Sequence, residues 1–187
     1  MTIFSPQIIG SLWCASELGV SLVKRAKGNA QLRDRHSLGL ILLVYTLAFT
    51  LGTLAAYHLP SCRLPWSEIL RDFGAFLFVA GIALRWYAII HLGRFFTVNV
   101  AIAPDHRVIV SGPDRYIRHP SYTGAMLAVV GFSLTLHNWA SLLLIVLPCF
   151  AVQIWRIHIE EAALLDALGD AYRTYMQRTK RLIPLVY

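Results

Sequence analysis

Two short stretches of the chain carry most of the residues able to do chemistry. The first, Arg115-Tyr116-Ile117-Arg118-His119-Pro120-Ser121-Tyr122-Thr123-Gly124, follows a turn-like run at Ser111-Gly112-Pro113-Asp114. Pro120 disfavours a helical conformation at His119 and is well tolerated in a first helical turn, so a helix is expected to begin at or just after Pro120. His119, Ser121 and Tyr122 then surround a helix N-terminus, where free N–H groups and the helix dipole favour an anion such as a carboxylate. The alternative is an interfacial anchor, because Tyr and Arg are common at headgroup depth.

The second stretch is Trp155-Arg156-Ile157-His158-Ile159-Glu160-Glu161. Arg156 and Glu160 are i and i+4 on a helix, so one reading is a surface pair contributing about 0.3–0.5 kcal/mol. Two adjacent carboxylates just past an apolar run also suit a binding role. One can hold a cationic group while the planar fork of Arg156 holds a carboxylate or phosphate. Arg85, alone in an apolar run, either snorkels to the interface or lines a polar cavity. The histidines show no H-x-x-x-H or H-E-x-x-H spacing and no metal site is expected. Cys14, Cys62 and Cys149 are too scattered for a zinc ligand set or a disulfide framework. Nucleophile-elbow, P-loop and dinucleotide-fingerprint patterns are absent, which excludes the common soluble nucleotide folds.

The elements that position these residues follow from hydropathy. Of 187 residues 57% are hydrophobic and 14% charged, against about a quarter charged in soluble domains. With a mean hydropathy of +0.57, the chain carries more apolar surface than one core could hide from water. The net charge is +7, but the cations sit in short loops between apolar runs, which argues against a nucleic-acid partner. A membrane span needs about 20 mostly apolar residues. Leu38 to Leu59 contains no Asp, Glu, Lys or Arg, Phe73 to Ile90 contains only Arg85, and Ile3 to Val23 only Glu17. Residues 122–155 hold no charge and are too long for one crossing, so a helical hairpin is expected with its turn at His137-Asn138-Trp139, and Pro148 is expected to kink the second arm.

The expected fold is therefore an all-α, polytopic integral membrane protein: about five transmembrane helices, a returning hairpin over 122–155 and a cytoplasmic C-terminal helical tail. The whole of 1–187 reads as one membrane domain, with three spans in 1–91 and the chemistry in 92–187. Lys24, Arg25, Lys27, Arg33 and Arg35 lie in the first loop, Arg94, Arg107, Arg115 and Arg118 in the third, and Arg156, Arg173, Arg178, Lys180 and Arg181 after the last span. By the positive-inside rule these faces are cytoplasmic, leaving the N-terminus outside and the C-terminus inside.

Several motifs resemble one known family. They are Leu84-Arg85-Trp86-Tyr87-Ala88-Ile89-Ile90-His91-Leu92-Gly93-Arg94-Phe95-Phe96-Thr97, Val110-Ser111-Gly112-Pro113, Arg118-His119-Pro120-Ser121-Tyr122-Thr123-Gly124, and Glu160-Glu161 with Leu164-Leu165, Gly169, Tyr172, Tyr175 and Arg181-Leu182-Ile183-Pro184. In order and spacing over 84–187 they are similar to the isoprenylcysteine carboxyl methyltransferases and their bacterial and archaeal relatives. The resemblance implies an integral-membrane enzyme using S-adenosyl-L-methionine and releasing S-adenosyl-L-homocysteine. Its methyl acceptor would be the carboxylate of a prenylated cysteine or a similar lipid-like substrate, and its partners would include membrane lipids. Carried over by position, the family's cofactor contacts fall on His106, Arg107, Val108 and Ile109, on His119, Pro120, Ser121 and Tyr122, on Glu160 and on Asn99. The substrate-binding arginine falls on Arg156. Where the family has G-P-Y-R-Y, this chain has Gly112-Pro113-Asp114-Arg115-Tyr116, so a tyrosine contact is replaced by an acid unless Tyr116 substitutes for it.

The residue-level chemistry fits this implication. A sulfonium donor is cationic, which suits Glu160, and a helix start at His119 to Tyr122 suits its carboxylate. A carboxylate acceptor is already ionised and needs alignment and exclusion of water, with Arg156 orienting it. An amine acceptor would need a base, for which Glu161 or His158 is placed. Three other readings remain: N-methylation of a phospholipid amine, a membrane sterol-type reductase using NADPH, since some reductases share a similar R-H-P-x-Y-x-G stretch, and a non-enzymatic membrane protein or transporter, which would favour repeats and broken helices that the sequence does not show.

Overall fold

Uniformly apolar segments become helices because a backbone removed from water must satisfy its own hydrogen bonds. The computed structural model describes residues 5–23, 31–32, 37–65, 67–98, 101–102 and 105–184. Among these, six α-helices follow in order: α1 (Pro6–Val23), α2 (Ser37–His58), α3 (Ser67–Leu92), α4 (Pro120–Thr135), α5 (Trp139–Leu168) and α6 (Asp170–Arg178). Gln31–Leu32 (β1) pairs antiparallel with Ala101–Ile102 (β2), a feature that an all-helical reading omits.

Helix starts follow local sequence. Pro6 opens α1 behind Ser5, whose Oγ accepts the Ile8 N–H. Pro120 opens α4 behind His119, as the sequence predicts. The hairpin turn also falls where expected. Asn138 caps α5, its Oδ1 accepting the Ser141 N–H at 3.1 Å while its Nδ2 donates to Leu59 O at 2.8 Å. His137 reaches a φ of +53° in the same turn.

Three helical segments among the described residues are long and apolar enough to cross a membrane: Ser37–His58, Glu68–Phe95 and Trp139–Leu168. Helix α5 continues past Trp155, as the helical reading of Arg156 to Glu160 requires. It runs on to Leu168 through Pro148, and 30 residues at 1.5 Å each reach about 45 Å, against a hydrocarbon layer of about 30 Å. The extra turns carry Arg156, Glu160 and Glu161.

Small residues decide the packing. Helix α2 buries Ser37, Ala48, Gly52 and Ala55 while Leu42, Leu43, Leu47 and Leu51 stay exposed, the division expected of a helix facing neighbours on one side and lipid on the other. Ser141 Oγ of α5 donates to Gly52 O of α2 at 2.6 Å. The most extensive helix pairing is α3 with α4. It is built on Gly74 and Gly81 facing Gly124 and Gly131, each pair seven residues apart. A β-carbon on Gly81 would stand 2.5 Å from Gly124 O, and one on Gly124 2.5 Å from Arg85 N. Trp13 of α1 packs into this bundle against Tyr45, Phe49 and Phe78, and Phe49 stacks on Phe132 at 4.7 Å.

The two charges that interrupt the apolar runs of α1 and α3 meet. Arg85 Nε donates to Glu17 Oε1 at 2.8 Å and Nη2 to Oε2 at 2.9 Å, while Nη1 reaches Ser121 Oγ at 3.1 Å. Arg85 thus has a fixed anionic partner within the bundle. It ties α1 to α3 and to the first turn of α4.

Candidate active site

The site is assembled by the segment before α4, the far end of α5 and the tail. Gly112 takes a φ of +58°, and a β-carbon there would stand 2.6 Å from the His91 ring, so only glycine fits. The tight turn Gly112–Arg115 follows. Tyr175 Oη of α6 donates to Asp114 O at 2.6 Å and anchors that turn. The tail then runs beside the segment entering α4: Arg118 N–H donates to Lys180 O at 2.8 Å, His119 N–H to Arg181 O at 3.0 Å, and Thr123 Oγ1 to Leu182 O at 2.8 Å.

Glu161 is the node of this assembly. Its carboxylate, 4% exposed, accepts Arg118 Nε at 2.8 Å, Arg181 Nη2 at 2.8 Å and lies 3.3 Å from His119 Nε2. Arg118 Nη1 also donates to the carbonyls of Met176 and Thr179. Several charge-assisted bonds converging on one carboxylate hold three chain segments together. Glu160, one position on, turns elsewhere and accepts the Tyr122 hydroxyl at 2.8 Å. Arg156 is 2% exposed and donates Nη2 to Val98 O at 2.7 Å, so it is an interior group bracing the loop after α3 and not part of an exposed surface pair.

These elements line a cleft that opens to one side. Of the expected binding residues, His106, Arg107, Val108, Ile109, His119, Arg156 and Glu160 line it. Pro120 and Ser121 are buried at the start of α4, Ser121 engaged by Arg85. Tyr122 stands behind Glu160, and Glu161 stands behind His119. Asn99 lies outside the described residues. Tyr116 is 65% exposed and lines a separate basic groove with Arg115, Arg178 and Lys180, so it does not replace the tyrosine missing at 114. Asp114 itself lines the cleft.

Sequence reasoning gave no role to Asp114, Arg118, Tyr172 and Tyr175, all of which line the cleft. The two tyrosines are i and i+3 on the amphipathic α6, a spacing that puts them on one face. Apolar walls come from Leu92, Phe95, Phe96, Leu164 and Leu168. Burial lowers the His106 imidazole below its usual range, despite Glu160 and Asp105 nearby, so this ring is neutral at pH 7. Its Nδ1 is buried without a hydrogen-bond partner, and an unmet buried polar atom in a cleft is a contact waiting for a ligand. No group of three or more potential metal ligands occurs among the described residues.

Comparison with known proteins gives a consistent family. Residues 74–166 match the model of the Isoprenylcysteine carboxyl methyltransferase (ICMT) family. A protein-S-isoprenylcysteine O-methyltransferase of Schizosaccharomyces pombe is 35% identical over 105 residues, covering 55% of this chain and 44% of that protein. Protein-S-isoprenylcysteine O-methyltransferase B of Arabidopsis thaliana is 34% identical over 124 residues, covering 63% of this chain and 60% of that one. The chain therefore spans about half the length of the curated relatives it matches. A solved structure of the eukaryotic intramembrane Ras methyltransferase ICMT superposes with a TM-score of 0.71 at 23% identity, over 97% of this chain and 65% of that chain. That likeness establishes the shared membrane-protein fold.

Proposed function

We propose a function for this chain from the premise that it belongs to the isoprenylcysteine carboxyl methyltransferase family: it methylates the carboxylate of a prenylated cysteine or similar lipid-like acceptor, using S-adenosylmethionine. One observation carries the reading. A cleft at the polar end of α5 gathers a carboxylate, Glu160, an interior guanidinium, Arg156, and a neutral imidazole with an unmet nitrogen, His106. Those residues fit a zwitterionic cofactor with a sulfonium, a carboxylate and a nucleoside. The orphaned His106 Nδ1, the Glu160 carboxylate and the Arg156 guanidinium are the groups such a ligand would meet.

When bound, the cofactor supplies an electrophilic methyl group on a positively charged sulfur. Glu160, held by the Tyr122 hydroxyl, sets a negative charge against that cation. Arg156 orients the acceptor carboxylate through its planar fork. Leu92, Phe95, Phe96 and Leu164 exclude water, which strengthens both interactions and preserves alignment. Neither residue placed to act as a base lines the cleft: Glu161 is engaged by Arg118, His119 and Arg181, and His158 is exposed, its Nδ1 2.7 Å from Ile154 O. A carboxylate acceptor has no proton to lose and needs neither of them. Glu161 in this reading holds the site together and moves no proton.

The finer topology belongs to the same proposal. Helices α1 to α5 make five crossings, with the N-terminus outside, residues 92–187 forming the catalytic part, and the cleft opening to the cytoplasm. The lipid half of the acceptor enters sideways between spans. Calorimetric titration of the detergent-purified chain with S-adenosylmethionine, S-adenosylhomocysteine and NADPH tests the cofactor, with micromolar affinity for the first two and none for the third expected. Methyl transfer to a farnesylated cysteine derivative tests the acceptor. NADPH binding alone would overturn the proposal in favour of a reductase.

A further inference from the structure

Asp114 is an acid inside the cleft with no function so far. It is 3% exposed, lines the cleft, and its Oδ2 is buried without a hydrogen-bond partner. The turn that carries it is fixed from both sides. Gly112 packs against the His91 ring and Tyr175 Oη bonds to the Asp114 carbonyl, so the side chain has little freedom to swing out to water. Arg118, which also lines the cleft, is committed elsewhere: it gives Nε to Glu161 and Nη1 to Met176 O and Thr179 O. Leaving a carboxyl oxygen buried and unmatched is costly unless a ligand completes it.

The chemistry of that completion is constrained. An aspartate accepts hydrogen bonds when ionised and donates only when protonated. A tyrosine hydroxyl, which the family resemblance leads one to expect here, both donates and accepts, so the exchange leaves a contact that when ionised only accepts. Resting on the methyltransferase reading above, we infer that Asp114 is a further cofactor-binding residue, whose carboxylate accepts a hydrogen bond from an N–H or O–H donor of bound S-adenosylmethionine, so that binding releases the Asp114 proton.

Burial supports this by pushing the free Asp114 carboxyl up to about 7, against a bond from its own backbone N–H that works the other way. A donor that bonds the carboxylate pulls that value down in the complex. Affinity is then highest above pH 7 and falls as the pH drops through the free value, by up to about tenfold per unit. Other titratable groups face the same space: His91 on α3, His106 and Arg107 in the loop before the turn, Arg118 and His119 before α4, Glu160 and Arg156 on α5. Burial raises Tyr172 and Tyr175 of α6, which stay protonated throughout, and lowers His106, which stays neutral at pH 7. Any other contribution persists when Asp114 alone is changed.

The experiment is calorimetry of S-adenosylhomocysteine binding to the wild-type chain and to Asp114→Asn, at pH 6, 7 and 8, in buffers of differing ionisation enthalpy. The expected wild-type result is a dissociation constant about tenfold higher at pH 6 than at pH 8. At pH 7 about half a proton should be released per ligand bound. Asp114→Asn should flatten the profile relative to wild type and abolish the release attributable to this residue. If wild type and variant share one pH profile, the assignment to Asp114 is overturned while the methyltransferase reading stands. Failure of the wild type to bind at any pH overturns both. Proton release is read on the wild type alone, so a poorly folding variant does not shield the inference: no release at pH 7 overturns it.

Discussion

Arg85 of α3 and Glu17 of α1, 68 residues apart in sequence, form a two-pronged ion pair with N–O distances of 2.8 and 2.9 Å. Each is the charge that interrupts its own helix's apolar run, and each is tolerable there because of the other. Breaking a buried pair leaves one charge stranded. Glu17→Ala and Arg85→Ala should each lower stability by on the order of 2 kcal/mol, discounted for the partial exposure of Glu17. The double change to leucine should cost less than either single change. Thermal unfolding in detergent reads the difference, and additive losses would show that the pair does not couple α1 to α3.

The glycine seam between α3 and α4 predicts a second packing effect. A methyl group on Gly81 or Gly124 meets opposing backbone at 2.5 Å, and backbone cannot step aside as a side chain can. Gly81→Ala should cost about 1–3 kcal/mol through helix separation. Gly39→Ala, where nothing lies within 4 Å, should be neutral or slightly stabilising. Equal melting temperatures for the two variants would contradict the close approach.

What was legible in the sequence is what local physics controls. The start of α4 at Pro120 and the turn before Trp139 follow from proline stereochemistry and an Asn N-cap, both visible within a few residues. The apolar runs locate α1, α2 and α3 for the same reason. The end of α5 was not legible from hydropathy, because hydropathy registers lipid contact while helical hydrogen bonding continues past it to Leu168. Glu17 with Arg85, and Glu161 with Arg118 and Arg181, are long-range pairings that no local period encodes. Arg156 and Glu160 illustrate the limit: the i,i+4 spacing is visible, yet the tertiary partners at Val98 and Tyr122 that make them interior groups are not.

Glu160 and Tyr122 should act together on cofactor affinity. The Tyr122 hydroxyl fixes one Glu160 oxygen at 2.8 Å. Glu160→Gln removes the negative charge and should raise the S-adenosylmethionine dissociation constant about tenfold or more, the value of a charge-assisted contact. Tyr122→Phe should raise it only a few-fold. With the double variant no worse than Glu160→Gln alone, the coupling is established. An unchanged constant in Glu160→Gln, with melting temperature preserved, would remove Glu160 from the binding site.

Glu161 and its cations predict a structural phenotype. Replacing Glu161 by Gln leaves Arg118, His119 and Arg181 without a countercharge, so residues 178–184 should exchange amide hydrogen faster and be cut sooner by protease. Stability should fall by about 3 kcal/mol, as when one partner of a buried pair is lost. Turnover should fall with it. A variant that kept its melting temperature and tail protection but lost turnover alone would make Glu161 a catalytic base and reopen the amine acceptor.

Arg156 is where binding and turnover should separate. Its guanidinium is interior, braces Val98 O at 2.7 Å, and faces the cleft beside Glu160. If it orients the acceptor carboxylate, removing it misaligns the nucleophile and leaves the cofactor's own contacts in place. Arg156→Ala should therefore keep the S-adenosylhomocysteine dissociation constant within about threefold while kcat/KM toward a farnesylated cysteine derivative falls about a hundredfold or more. Arg156→Lys should recover little of that, because an ammonium has the charge but lacks the two-pronged donor geometry. The opposite pattern, lost cofactor binding with Lys restoring it, would mean that Arg156 serves the cofactor's carboxylate as a point charge, and the acceptor would then need another anchor in the cleft.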